Sequence, residues 1–350
     1  MLQAHGLAKR DPAPLQKSNS APDMRRARKR KRMVKEESEN EQEDPEEVEA
    51  RREEAELLET SKFEEFGESV TDFKKGDGVF RQSHFMNKFG AFQLYDIGLG
   101  STTSKISANV SYDEAATIPV ALNAAYVGFY NTPSYRMGFA PPVTPEARGK
   151  YAGMPIVILG GASSQFMGDR NAAIQLAKLS GFSPAIITTS LKHTDFLKSL
   201  GATHVVDRNL PTSELAGEIA KATSTPLKTV FDSISLKTQE TALELLAPGG
   251  LLAVVLPPLV PVDGADGKQV FHVVVTMEMP HNRPLGDMLW HEHLEKFVET
   301  GAVKPNRIEI LPNGLAGIPD GLKRIDAVDP GAIEGHGGHH LSLQHVVPEK

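Results

Sequence analysis

The stretch MPIVILGGASSQFMGDRNAAIQLAKLSGFSPAIITTS, Met154–Ser190, decides the fold of this chain. It begins with an apolar run, Pro155–Leu159, that is typical of a buried strand. A glycine-rich turn follows at Gly160–Ser164, then an apolar segment, Ala172–Leu179, and a second apolar strand, Ala185–Thr189. The pattern predicts one strand–turn–helix–strand unit, in which the N-terminus of the helix can bind a pyrophosphate.

The chain after this unit continues to alternate apolar strands with helices. Near-continuous runs of Val, Ile and Leu are typical of strands buried on both faces, and therefore of a parallel sheet. The predicted strands are Pro155–Leu159, Ala185–Thr189, His204–Asp207, Thr229–Asp232, Leu251–Val255 and Phe271–Thr276. The predicted helices are about Asn171–Ser180, Thr194–Leu200, Ser213–Lys221 and Thr238–Leu246, with helix C-caps at Gly181, Gly201 and Gly249. The sequence therefore predicts a Rossmann-type, doubly wound α/β sheet.

The segments on either side of this sheet predict a second, mainly β domain. Short apolar runs alternate with polar turns over residues 70–133, as antiparallel strands do. A helix is predicted over Asp113–Tyr130, with Ser111 as its N-cap and Glu114 completing a capping box. After the sheet, the pattern predicts a helix, Asp287–Thr300, and a strand, Arg307–Leu311.

The composition excludes several kinds of site and partner. The 350 residues suffice for two domains, and the net charge of −7 argues against a nucleic-acid partner. The chain has no cysteine, so it can form no disulfide and no Cys-ligated structural or catalytic zinc site. No apolar run reaches about 18 residues, so no membrane span is expected. The first residues lack the apolar core of a signal peptide, and a cytoplasmic protein is predicted.

Residues 1–65 are interpreted as a charged, largely disordered tail. A basic block, Arg25–Arg32, precedes a Glu-rich stretch, Glu36–Glu59. Blocks of opposite charge are typical of solvated, disordered chain. The basic block also fits a nuclear localisation signal, so a nuclear protein stays open as an alternative.

Seven short motifs occur in the order found in a known family. They are VTDFKKGDGVF (Val70–Phe80), DEAATIPVALNAAYVGFYN (Asp113–Asn131), VILGGASS (Val157–Ser164), AIQLAKLSG (Ala173–Gly181), SLGATHVVDR (Ser199–Arg208), VFDSIS (Val230–Ser235) and LLAPGGLLAVV (Leu245–Val255). From about Val70 onward, the chain resembles the medium-chain dehydrogenase/reductase superfamily. It is most similar to the zinc-free branch of quinone-oxidoreductase-like and fungal trans-enoyl-reductase-like proteins.

The resemblance implies a division of the chain into four parts. Residues 1–65 are the tail, and residues 66–150 form a truncated GroES-like substrate domain. Residues 151–285 form the Rossmann cofactor-binding domain. Residues 286–350 return to complete the substrate domain.

Five residues of the turn region are predicted to hold the pyrophosphate of a cofactor: Gly160, Gly161, Ser163, Ser164 and Gly168. Backbone N–H groups and two hydroxyls can donate to phosphate there, and glycine lets the backbone approach closely. The alternative is a tight strand-to-helix turn that binds no ligand.

This turn differs from the family pattern. Gln165–Ala172 supplies eight residues where the family has four. Asp169 would place a negative charge near the pyrophosphate unless its side chain turns outward. The first 65 residues also match nothing in the family. These differences favour the alternative of a non-catalytic relative, or of an imperfect gene model, with impaired cofactor binding.

The end of the second strand favours NADPH over NADH. NAD-preferring proteins place an acid there to bind the ribose 2′-hydroxyl, but this chain has Ser190 and Lys192 instead. A hydroxyl and a nearby cation suit a 2′-phosphate. The alternative is an ordinary polar loop before the helix that starts at Thr194.

The resemblance implies that the nicotinamide lies in the cleft between the two domains. Leu256, in the loop Leu256–Pro258, is predicted to border it, together with Val275–Met277. No catalytic residue can be carried over from the family. Tyr126 and Tyr130 lie on the helix near the cleft, where a phenol could protonate an enolate. Aromatic packing is the favoured interpretation of both tyrosines.

The histidines do not predict a metal site. His291 and His293 are two residues apart, so their rings point to different sides of a helix. A cluster near the C-terminus, His336–His345, is interpreted as a polar loop.

Taken with the resemblance, these features predict an NADPH-dependent, zinc-independent oxidoreductase with a small-molecule substrate. Hydride would go to an activated double bond, in an enone or enoyl thioester, or to a quinone. Weak NADPH binding and low turnover are expected because of the lengthened turn. A homodimer is expected because dimers are common in the family.

Overall fold

The computed structural model describes residues 67, 70–83, 93, 95–133, 136–160, 168–277, 279–321, 323 and 346–348. They lie within the unit Ala55–Lys350. The charged tail, residues 161–167 of the turn and the C-terminal histidine cluster lie outside the described residues, so the statements about them stay predictions.

Within this part of the chain, ten strands and eight α-helices form. The strands are β1 (Val79–Arg81), β2 (Thr103–Lys105), β3 (Ile156–Leu159), β4 (Ala185–Thr189), β5 (His204–Asp207), β6 (Thr229–Asp232), β7 (Leu251–Val254), β8 (Gln269–His272), β9 (Glu309–Leu311) and β10 (Val346–Pro348). The α-helices are α1 (Tyr112–Ala116), α2 (Pro119–Tyr130), α3 (Gly168–Ser180), α4 (Thr194–Leu200), α5 (Thr212–Ala222), α6 (Thr238–Leu245), α7 (Arg283–Asp287) and α8 (Leu294–Glu299). A π-helix, Met288–His293, joins α7 to α8.

Six strands form one parallel sheet in the order β5-β4-β3-β6-β7-β8. At its centre, Val157 of β3 pairs with Ile186 of β4 on one side and with Val230 of β6 on the other. The chain runs from β3 outward to β5, returns to β6 beside β3, and runs outward again to β8. This order confirms the predicted Rossmann-type, doubly wound sheet.

The two faces of this sheet contribute to separate hydrophobic cores. Ile156 and Ile158 pack in one core with side chains of α2, α3 and α4. Val157 and Leu159 pack in the other with side chains of α5 and α6. Because successive side chains of a strand point to opposite faces, helices on both faces require an unbroken apolar run.

Two short sheets lie outside the parallel sheet. The strands β1 and β2 pair antiparallel, as predicted for the segment before the Rossmann unit. The strands β9 and β10 pair in parallel. Among the described residues, no helix combines the length and apolar composition that a membrane span needs.

The helix predicted over Asp113–Tyr130 is broken in two. The first part ends at Ala116 and the second starts at Pro119. Proline has no N–H to continue the helical hydrogen bonds, so it starts a new helix instead. The capping box is confirmed: the Glu114 N–H donates to Ser111 Oγ at 3.2 Å, and the Ser111 N–H donates to Glu114 Oε2 at 2.9 Å.

Other predicted bounds, and one predicted helix C-cap, were wrong. The last strand is Gln269–His272 rather than Phe271–Thr276, because it ends where its partner β7 ends. The helix predicted over Asp287–Thr300 starts earlier, at Arg283, and contains the π-helical turn. Gly249 has a φ of +71° but lies in the turn before β7, so it is not a helix C-cap.

Candidate active site

At the carboxyl edge of the sheet, the strand order reverses between β3 and β6. Open parallel sheets bind ligands outside the carboxyl ends of the strands at this reversal. Three residues predicted to bind a cofactor lie close to strand ends. Gly160 directly follows β3 and Ser190 directly follows β4, while Leu256 is the second residue after β7. The sheet therefore brings these three to one edge.

Contacts within the protein leave no space for a side chain at Gly160. Its N–H donates to the carbonyl oxygen of Thr188 at 3.0 Å. A Cβ at this position would overlap Cδ of Arg170 and would lie 3.0 Å from the Thr188 oxygen. The close approach that glycine permits is thus partly used by an arginine of the same chain.

The other turn residues are described only in part. Gly161, Ser163 and Ser164 lie outside the described residues, and their role as phosphate ligands stays a prediction. Gly168 is the first residue of α3, which starts three residues earlier than the predicted Asn171. The lengthened segment therefore adds a turn to the N-terminus of this helix.

Arg170, in the first turn of α3, is a buried cation at this edge of the sheet. Its side chain is 0% exposed. Its Nη1 donates to Thr189 Oγ1 at 3.1 Å, and its Nη2 lies 3.5 Å from Asn171 Oδ1. Its Nε has no hydrogen-bond partner among the described residues. Burial lowers the pKa of Arg170 to about 10, so the guanidinium stays charged at neutral pH.

A side chain of Asp169 that pointed freely into solvent would avoid repelling a pyrophosphate, but Asp169 is not fully exposed. The residue is half-buried. Burial raises the pKa of its carboxyl group to about 7, and a hydrogen bond from its own backbone N–H opposes the rise. A carboxyl group with this pKa is partly protonated at neutral pH, which reduces the repulsion expected from a full charge.

Four cations lie near enough to His193, at the carboxyl end of β4, to affect its pKa. Burial is the largest cause that lowers the pKa of His193, and the positive charges of Lys192, Arg170, Arg307 and Arg208 add to it. The Arg208 N–H donates to the Thr189 carbonyl oxygen at 3.1 Å, which fixes the start of its loop beside this end.

Asp207, which directly precedes Arg208, is already engaged. Oδ1 of Asp207 accepts hydrogen bonds from the backbone and side-chain N–H groups of Asn209, both at 2.9 Å. Ser190 is half-buried and Lys192 is exposed, so both can meet an anion that approaches from solvent. The region is therefore suited to a phosphate group.

Sequence reasoning missed three of these cations. Arg208 follows the end of β5, the strand next to β4, so the strand prediction already contained the signal for it. Arg170 lay in a segment interpreted only as an insertion. Arg307 comes from beyond the sheet, and its guanidinium lies 4.2 Å from the ring centroid of Phe196 on α4. No local pattern predicts that contact.

Comparisons with known proteins place the chain in a family. The family model for zinc-binding dehydrogenases matches residues 171–261. Trans-enoyl reductase fsa3 of Fusarium sp. is 26% identical over 277 residues, 73% of this chain and 74% of the relative. Trans-enoyl reductase himH of Aspergillus japonicus is 30% identical over 272 residues, 75% of this chain and 74% of the relative. This chain belongs to the medium-chain dehydrogenase/reductase superfamily, with trans-enoyl-reductase-like proteins.

A solved structure of the superfamily shares the fold. The structure of mycobacterial Rv1454c complexed with NADPH superposes with a TM-score of 0.58 at 18% identity, over 76% of each chain. Within this chain, the family-model match begins at Asn171, directly after Arg170. Most of the segment that differs from the superfamily pattern, Gln165–Ala172, thus precedes the matched region.

In this member of the superfamily, Asp232 at the end of β6 has a structural role. Its Oδ1 accepts from the N–H groups of Ile234 and Ser235, both at 2.9 Å, and its Oδ2 accepts from the Thr238 hydroxyl at 2.7 Å. Burial raises the pKa of Asp232, while these hydrogen bonds oppose the rise. Since its oxygens are occupied, Asp232 shapes the turn beside the crevice rather than reacting in it.

The loop that contains Leu256 is held in place by Gln239 of α6. The Gln239 side chain donates to the Pro257 carbonyl oxygen at 3.2 Å and accepts from the Leu259 N–H at 2.7 Å. Leu256 is half-buried in this loop, at the carboxyl edge of the sheet. Its predicted contact with a cofactor stays a prediction.

The two tyrosines of α2 differ in their surroundings. The Tyr130 hydroxyl lies 2.6 Å from Ser180 Oγ and 3.3 Å from the Leu176 carbonyl oxygen, so it is engaged in packing α2 on α3. The Tyr126 ring packs edge-on against Tyr130 with centroids 4.9 Å apart. Burial raises the pKa of Tyr126, and its hydroxyl has no hydrogen-bond partner among the described residues.

The histidines of the π-helix have separate neighbours. His291 Nδ1 lies 3.9 Å from Asp72 Oδ2, while His293 stacks on Phe297. Over the described ranges, no three His, Cys, Asp or Glu side chains lie close enough to form a metal site.

Proposed function

We propose that this protein is an NADPH-dependent, zinc-independent reductase. It transfers hydride to the β-carbon of an enone or enoyl thioester, or to a quinone. The observation that carries the proposal is the cationic group at the end of β4, which lies beside the strand reversal. The relatives named trans-enoyl reductases, and the NADPH complex of the mycobacterial neighbour, support the same chemistry.

Two separate places at this edge of the sheet are proposed to bind the dinucleotide. Near Gly160, the first turn of the 13-residue helix α3 faces the place of a pyrophosphate. At the end of β4, Ser190 and Lys192 are proposed to bind a ribose 2′-phosphate, with Arg208 beside them. The side chains that end β4, Thr188 and Thr189, carry no acid to select the 2′-hydroxyl of NADH.

The cofactor, when bound, supplies the hydride. The residues of the chain bind it, orient it and keep water out. Leu256 and Val275–Met277 are proposed to border the nicotinamide. Tyr126 is fully buried, so aromatic packing is the role proposed for its side chain.

The sequence supports the proposed zinc independence. Cysteine ligates the catalytic zinc of many alcohol dehydrogenases of the superfamily, and this chain has none. The reduction of an activated double bond needs a hydride, which the cofactor supplies, and a proton.

We also propose that residues 66–150 and 286–350 form one substrate domain. Ser107 Oγ donates to the Glu295 carbonyl oxygen at 3.0 Å, and the Asn109 side chain donates to that of Glu299 at 3.1 Å. These contacts join the two segments across almost 190 residues. A homodimer, common in the superfamily, is proposed as the assembled form.

A second candidate function has its own observation. Arg170 lies against Gly160, in the region where a dinucleotide of the superfamily is expected. If the arginine displaces the pyrophosphate, the chain is a non-catalytic member. The two candidates differ in whether the protein binds NADPH.

The test is consumption of NADPH by the purified full-length protein with an enone, an enoyl thioester and a quinone, each with and without a zinc chelator. Turnover that persists in chelator supports the proposal. Turnover lost in chelator contradicts zinc independence, and no turnover with any of the three substrates favours the non-catalytic member.

A further inference from the structure

Arg170 joins the ends of two central strands. It lies in the first turn of α3, and its side chain crosses Gly160 at the end of β3 to reach Thr189 at the end of β4. The strand β3 is one of the two strands at the reversal, and β4 is its neighbour on the other side. A charged group here lies where the phosphates of a dinucleotide pass.

The charge of Arg170 has no opposite charge to balance it among the described residues. Its two hydrogen-bond acceptors, a threonine hydroxyl and an asparagine amide, are neutral. Its Nε has no acceptor. No acid contributes to its pKa, which burial alone lowers. A buried charge without a counter-charge is costly, so such groups are usually paired in the functional state.

The position of Arg170 favours the pyrophosphate over the 2′-phosphate. Lys192 and Arg208 are exposed at the outer side of β4 and suffice for a 2′-phosphate. Arg170 instead lies at Gly160 and the start of α3, where the helix dipole also favours an anion. Asp169 beside it is partly protonated near neutral pH, which leaves the arginine the dominant charge.

We propose that Arg170 is a direct ligand of the cofactor pyrophosphate, contributed by the lengthened turn. The guanidinium offers two or more N–H donors to phosphate oxygens in a planar fork. The positive charge of the guanidinium compensates for phosphate contacts that the altered glycine turn loses. The inference rests on the proposed function, since it needs a dinucleotide at this crevice.

NADPH and NADH share the pyrophosphate and differ in the 2′-phosphate, so two variants separate the two subsites. Binding to the full-length protein is measured by nicotinamide fluorescence, with inorganic pyrophosphate as a competitor. Arg170→Met is expected to weaken both cofactors by a similar factor, about tenfold or more, and to abolish competition by pyrophosphate. Lys192→Ala is expected to weaken NADPH alone. Lys198→Ala, an exposed cation on α4, is the control and is expected to change neither.

The inference is overturned if Arg170→Met binds both cofactors as tightly as the wild-type protein does. It is also overturned if the variant loses affinity for NADPH alone. If Arg170→Met does not fold, the same titrations are made with Arg170→Lys. This variant keeps the positive charge but loses the planar guanidinium with its paired N–H donors. A loss of about threefold or more for both cofactors is then expected, and unchanged affinity overturns the inference. If the wild-type protein binds neither dinucleotide, the proposed function fails and the inference falls with it.

Discussion

Nη1 of Arg170 donates a hydrogen bond to Oγ1 of Thr189 across 3.1 Å. This bond links the first turn of α3 to the last residue of β4, over the backbone of Gly160. Arg170, within the segment that departs from the superfamily pattern, is therefore packed into the carboxyl edge of the sheet.

Gly160→Ala is expected to destabilise the protein by about 1–3 kcal/mol, because the new methyl group overlaps Arg170 and crowds the Thr188 carbonyl oxygen. Chemical denaturation measures the change in the free energy of unfolding. The matched control is Gly217→Ala in α5, where nothing lies within 4 Å of the new Cβ. There a gain of about 0.5–1 kcal/mol is expected from helix propensity. Equal effects at the two glycines would contradict the crowding at Gly160.

Ser190→Asp is expected to shift the cofactor preference from NADPH towards NADH. The new carboxylate repels a 2′-phosphate and can accept from a 2′-hydroxyl. Titration with each cofactor is expected to show NADPH binding weakened about tenfold or more, and NADH binding unchanged or improved. Ser213→Asp, on the exposed first turn of α5, controls for the added charge. If the affinities for NADPH and NADH fell to the same extent, the assignment of Ser190 to the 2′-phosphate site would be wrong.

Asp169→Asn is expected to stabilise the protein at high pH only. The pKa of Asp169 in the folded protein is about 7, above its ordinary 3.8, so the folded state binds this proton more tightly than the unfolded state. The contribution of Asp169 to stability therefore falls as pH rises from about 4 to 7 and is constant above that. The variant keeps the neutral form, and its gain should be near zero at pH 4 and about 1–2 kcal/mol at pH 8. A gain that does not vary with pH would refute the raised pKa.

Asp232→Ala is expected to cost about 2–4 kcal/mol, because it leaves two backbone N–H groups and the Thr238 hydroxyl unpaired inside the protein. Thermal or chemical unfolding measures the loss. Glu244→Ala, at an exposed position of α6, is the control and should change stability little. A loss of activity without a loss of stability would instead assign Asp232 to the chemistry.

The sheet could be predicted from the sequence because its strands are apolar on both faces. Three strands, Ala185–Thr189, His204–Asp207 and Thr229–Asp232, have the predicted bounds. The bounds of the last strand, β8, could not be predicted from apolar residues. Its apolar run continues past His272, where the pairing with β7 ends. The break at Pro119 was missed because the apolar pattern runs through it without interruption.

The candidate site was predictable only in the parts that follow strand ends. Ser190 and Leu256 could be placed because strand ends meet at one edge of a parallel sheet. The roles of Arg170 and Arg307 depend on burial and on contacts between distant segments, which no local pattern encodes. The difference between Tyr126 and Tyr130 likewise depends on whether Ser180 lies within reach of a hydroxyl.

The most direct test of the account is titration of the purified full-length protein with NADPH and with NADH, followed by nicotinamide fluorescence. We expect measurable binding of both, with NADPH bound about tenfold or more tightly because of the 2′-phosphate contacts. Tighter binding of NADH would contradict the assignment of Ser190 and Lys192. No binding of either cofactor at millimolar concentration would contradict the reductase proposal and leave the non-catalytic member as the function.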